Sequence, residues 1–111
     1  MAKKYNKSWV VFQPHTYSRT KSLLLDFAQV LLNFDNVIVI DIYAAREANT
    51  YGITSMDLVD KIREYGKEAL YIPNFDECVS HLKTNVEPGD IVLTLGAGTV
   101  TNISNMLIKN I

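Results

Sequence analysis

A chain of 111 residues with 48% hydrophobic side chains suits one compact domain, residues 1–111, around a single core, with little room for a second. Its 11 basic and 12 acidic side chains leave a formal charge of -1, which denies it the basic field that a phosphate backbone needs, so nucleic acid is set aside as a partner. The lone cysteine, Cys78, precludes an internal disulfide, no secretory-type leader opens the sequence, and the longest apolar run, Val37 to Ile40 with Ile42 and Tyr43 beyond Asp41, falls short of the about 20 residues that cross a bilayer; a soluble protein of the reducing cytoplasm is expected, with no membrane partner.

After the polar opening MAKKYNK, WVVF (Trp9 to Phe12) and NVIVIDIY (Asn36 to Tyr43) are β-branched or aromatic runs without clean alternation, as in strands covered on both faces. Between them Leu24, Phe27, Ala28 and Leu31 recur at helical spacing, with Ser18 or Thr20 as the expected N-cap. A second helix is predicted from Thr54 or Ser55, with Leu58, Val59, Ile62 and Tyr65 on its apolar side and Gly66 as the left-handed residue that ends it. ALYI (Ala69 to Ile72) reads as the next strand, stopped by Pro73. Asn74 with Glu77 three residues on resembles a capping box for a helix buried through Phe75, Val79 and Leu82. EPGD (Glu87 to Asp90) is a turn into IVLTL (Ile91 to Leu95), and GAGT then leads to a last helix carrying Val100, Ile103, Met106 and Leu107. This order predicts an α/β fold, a three-layer α/β/α Rossmann-like domain with a mostly parallel sheet, to which an antiparallel strand could be added.

In such sheets ligands bind beyond the carboxyl ends of the strands, and three of those ends are polar here: QPHTYSRT, DIYAARE and GAGT. Arg19 and Arg46 are candidates to grip a carboxylate or phosphate through paired hydrogen bonds, against the ordinary alternative of solvated surface arginines. His15 follows Pro14, which stiffens the strand exit; its imidazole either meets a substrate or braces the loop. Glu47 either holds Arg46 or is solvated. Gly96 and Gly98, flanking Ala97, permit close backbone approach to an anion, or simply make a tight turn. His81 and Cys78 read as structural, no metal framework is present, and neither a phosphate loop nor a nucleophile elbow occurs.

Together, VFQPHTYSRT, DIYAARE and GDIVLTLGAGT resemble the C-terminal domain of the Mur ligases, from about Trp9 onward. The resemblance implies a three-domain enzyme in which an N-terminal domain for the uridine nucleotide and a central ATPase, both absent from this chain, accompany a Rossmann-like lobe that contributes to amino-acid and ATP binding. It implies an inactive isolated lobe. In the complete enzyme, ATP with Mg2+ would convert the carboxylate of UDP-N-acetylmuramate to an acyl phosphate, which the neutral amine of L-alanine attacks, in peptidoglycan precursor synthesis. By the same resemblance Arg19 takes the alanine carboxylate and His15 is catalytic at the reacting end of the amino acid. Gly96, Ala97 and Gly98 supply backbone near substrate or phosphate, and Thr16 and Glu47 support. Many relatives have arginine where this chain has Thr16, and glycine within the segment matching YAARE, so Arg46 is expected to replace the missing charge. Thr99 stands where relatives often have acidic or amide side chains.

Two alternatives remain at this point. One is another Mur-type ligase, for murein peptide recycling or later amino-acid addition. The other is a freestanding flavodoxin-like binding or signalling module with Asp41 as phosphoacceptor, for which the partner acids and lysine are missing.

Overall fold

The computed structural model describes residues 6–96, so Ala97, Gly98, Thr99 and the expected last helix lie outside the described residues, as does the side chain of Phe75. Strands β1 (Ser8–Gln13), β2 (Asn36–Val39), β3 (Ala69–Tyr71) and β4 (Ile91–Gly96) form one sheet in the order β3-β2-β1-β4. Every neighbouring pair is parallel, with Val10 opposite both Val37 and Leu93. Among the described residues the sheet has no antiparallel strand.

The two central strands, β1 and β2, are buried on both faces, which is why their sequences do not alternate. Trp9, Val11, Ile38 and Ile40 face Cys78, Val79 and Leu82 of α4 (Phe75–Asn85). Their neighbours Val10, Val37, Val39 and Ala69 face the other way, against Ala28 and Leu31 of α2 (Leu24–Leu31) and Leu58, Val59 and Ile62 of α3 (Ser55–Glu64). Each such aliphatic side chain contributes about 1.5–3 kcal/mol when fully buried. The expected α/β/α layering is thereby realised. His81, on α4, sets its ring edge-on to Trp9 with centroids 6.2 Å apart.

The first helical segment departs from expectation. It divides at Leu23 (φ -110, ψ 18) into a six-residue helix α1 (Tyr17–Ser22) and α2. The N-cap is Thr16, not Ser18 or Thr20: the Thr16 hydroxyl accepts from the Arg19 N–H at 3.3 Å. Thr20 is buried one turn in and donates its hydroxyl to the Thr16 carbonyl at 2.6 Å. The other caps fall where predicted. Thr54 starts α3, its N–H and hydroxyl both donating to Asp57, and Gly66 ends it at φ 86. Asn74 accepts from the Glu77 N–H at 2.9 Å to start α4. No helix among the described residues is long and apolar enough to cross a membrane.

Candidate functional site

Because the strands run the same way, Gln13, Val39, Tyr71 and Gly96 end at one edge of the sheet. Gln13 and Gly96 are directly opposed there. Gly96 has φ 131, and a β-carbon on it would stand 2.5 Å from the Gln13 carbonyl oxygen, so glycine is required both by backbone conformation and by space.

Beyond this edge the segments after β1 and β2 stay zipped together. The Tyr43 N–H donates to the Pro14 carbonyl at 2.9 Å, and the Thr16 N–H donates to the Tyr43 carbonyl at 2.8 Å, forming a parallel bridge between His15 and Tyr43. Their rings stack, 14° from coplanar with centroids 5.5 Å apart. His15 is thus half-buried and held in orientation by an aromatic neighbour that is itself exposed.

A second link lies one turn further on. The Glu47 carboxylate accepts from the Ser18 N–H at 2.8 Å and from the Ser18 hydroxyl at 2.6 Å. The hydroxyl bond first, and then the backbone bond, hold the Glu47 carboxyl below its ordinary value. Of the two roles open to Glu47 in the sequence, then, neither is found: it anchors the first turn of α1 rather than Arg46. That turn carries Arg19, whose side chain is exposed. Arg46 is exposed as well and, like Ala45, adopts a positive φ, 74° against 51°. This is backbone that favours glycine. Neither guanidinium meets a carboxylate among the described residues.

At the same edge Tyr17, Asp41, Asn49, Thr54, Ser55 and Tyr71 line a cavity of about 260 Å³. The Tyr71 hydroxyl donates to the Asp41 carboxylate, which pushes the tyrosine up to about 12. A larger hollow, about 670 Å³, is lined by Asn36, Gly66, Lys67 and His81 among others, near the amino ends of β2 and β3, away from these loops. The strand-end chemistry makes the smaller one the more relevant.

The structure therefore brings His15, Thr16 and Gly96 to one edge, with Arg19 on α1 and Arg46 and Glu47 on the loop after β2. Sequence reasoning missed Tyr43 as the ring under His15, Ser18 as the partner of Glu47, and Gln13 as the buried polar side chain at the junction. Only Gln13 had a local signal, a polar residue closing an apolar strand.

Comparison with known proteins agrees with this architecture. Residues 1–98 match the family described as Mur ligase, glutamate ligase domain. UDP-N-acetylmuramate–L-alanine ligase of Acetivibrio thermocellus is 48% identical over 106 residues, 96% of this chain and 23% of that protein. The enzyme of the same name from Caldanaerobacter subterraneus subsp. tengcongensis is 52% identical over 99 residues, 89% of this chain and 22% of its own. The chain thus spans about a quarter of the length of the curated relatives it matches. In fold it resembles the crystal structure of UDP-N-acetylmuramate-alanine ligase from Thermotoga maritima, with a TM-score of 0.70 and 24% identity over 95% of this chain and 20% of that one. With the family match covering all but the last residues and the parallel sheet of the same shape, the chain belongs to the Mur ligase family, as its glutamate ligase domain.

Proposed function

We propose that this chain is the amino-acid-binding lobe of an ATP-dependent ligase that joins L-alanine to UDP-N-acetylmuramate. The observation that carries the proposal is the identity of about half of its residues to ligases of that name across nearly its whole length. In this account the chain is one domain of a longer enzyme, and the domains for the uridine nucleotide and for ATP hydrolysis belong to the rest of the polypeptide.

The geometry at the strand edge suits the task. The Arg19 guanidinium offers two parallel donors to the alanine carboxylate, and the clamp of Glu47 on Ser18 fixes the turn from which it projects. A cationic surface nearby also disfavours the ammonium form of the amine, and the reacting amine has to be neutral. His15, held by Tyr43, is placed to position that end of the amino acid or take its proton. Arg46 adds a second positive charge in place of the one that Thr16 lacks. Gly96 brings bare backbone to the same edge.

ATP with Mg2+ would supply the activated acyl group in the complete enzyme. The phosphoacceptor alternative gains nothing from the structure, because the Asp41 carboxylate is engaged by Tyr71.

The test is turnover by the complete polypeptide that carries this chain. ATP consumption should require both UDP-N-acetylmuramate and L-alanine; a requirement for a tripeptide instead of L-alanine would assign the chain to a recycling ligase.

A further inference from the structure

Gln13 closes β1 with a side chain only 7% exposed, and its Oε1 is a fully buried acceptor without a hydrogen-bond partner among the described residues. Its Nε2 reaches the Asp41 carbonyl at 3.5 Å, the limit of a useful bond. Leaving a buried amide oxygen unpaired costs about 1–3 kcal/mol, and native proteins keep such groups where something else completes them. Nothing in the packing demands an amide here: β1 is otherwise apolar from Trp9 to Phe12.

The position of this orphan is informative. Gln13 contacts the end of β2 through Asp41 and the end of β4 through Gly96, and it lies two residues before His15. It is therefore at the meeting point of the three polar strand ends. The last torsion of glutamine is broad, so rotation about it would present Oε1 at the strand edge at the cost of the single 3.5 Å bond to the Asp41 carbonyl.

We infer that Gln13 is a substrate-binding residue whose Oε1 accepts a hydrogen bond from the neutral amine of the amino acid. This rests on the function proposed above and extends it. A neutral acceptor has a chemical advantage at this place. A carboxylate would orient the amine equally well but would favour the ammonium form, which has no lone pair for attack. An amide oxygen orients the N–H without adding a full negative charge. With Arg19 on the carboxylate and Gln13 on the amine, the two ends of the amino acid are distinguished by charge.

Two variants of the complete ligase test this. Gln13→Met preserves length and removes the orphan oxygen; it should raise KM for L-alanine about tenfold with KM for ATP unchanged. Gln13→Glu introduces the disfavoured charge and should move the acidic limb of the pH–rate profile upward by about one unit, an effect that a purely structural role would not produce. If Gln13→Met does not fold, the Gln13→Glu profile decides alone. An unchanged KM in Gln13→Met together with a superimposable profile in Gln13→Glu overturns the inference while leaving the ligase assignment intact. A wild-type enzyme without L-alanine dependence overturns the ligase assignment itself, and the inference with it.

Discussion

Glu47 grips Ser18 across 29 residues of sequence, accepting from both its backbone N–H and its hydroxyl. The pair joins the loop after β2 to the helix after β1, and thereby couples the two segments from which Arg46 and Arg19 project. Because these bonds hold the Glu47 carboxyl below its ordinary value of 4.5, the linkage has a definite sign. The unfolded chain binds the proton more readily, so the contribution is complete above pH 4.5 and is lost as pH falls through the lower folded value. Thermal melts of Glu47→Gln should accordingly show a shallower loss of Tm below that pH than the wild-type chain. Parallel curves for the two proteins would mean that the clamp does not form in solution.

At the opposite strand, Gly96→Ala places a β-carbon 2.5 Å from the Gln13 carbonyl oxygen at a φ of 131°. Both the contact and the backbone strain act in the same direction. A loss of about 2 kcal/mol or more is expected in urea unfolding of the chain. Gly66→Ala provides the comparison: its added β-carbon meets nothing within 4 Å, so only the left-handed backbone, about 1 kcal/mol, should be felt.

Arg46 exchanges backbone comfort for charge. Replacing it with glycine removes the left-handed strain and should raise stability by about 1 kcal/mol in the same unfolding assay. In the complete ligase, Arg46→Ala should raise KM for L-alanine. An unchanged KM would remove Arg46 from the amino-acid site and leave its strained backbone without a functional account.

Cys78 lies in the core against the sheet, and burial pushes its thiol up to about 11. It should resist a thiol reagent at pH 8 in the native chain and react fully once denaturant is added. Rapid labelling of the native protein would show that α4 opens from the sheet far more readily than its packing implies.

Much of the fold was legible because its signals are local. The strands Trp9 to Phe12, Asn36 to Val39 and Ile91 to Leu95 are apolar on both faces, and Thr54, Gly66 and Asn74 mark helix ends by their own chemistry. The break at Leu23 was not legible, since Leu24, Phe27, Ala28 and Leu31 fit a helix continuing from either cap. Thr16 was not legible as N-cap, since its φ of 65° is unusual for a β-branched residue and is held by contacts with Tyr43 and Thr20. The site was visible as three polar strand ends but not as a wiring diagram. Glu47 sits next to Arg46 in sequence yet bonds Ser18, and His15 finds its ring partner in Tyr43; both pairings follow from the parallel register of β1 and β2, which no local pattern encodes.

Whether this edge holds the amino acid by its carboxylate is decided by the Michaelis constant for L-alanine in an Arg19→Ala variant of the complete ligase. A rise of at least about tenfold is expected, from the loss of a charge-assisted pair, with KM for ATP and for UDP-N-acetylmuramate unaltered. A wild-type KM for L-alanine in that variant would contradict it.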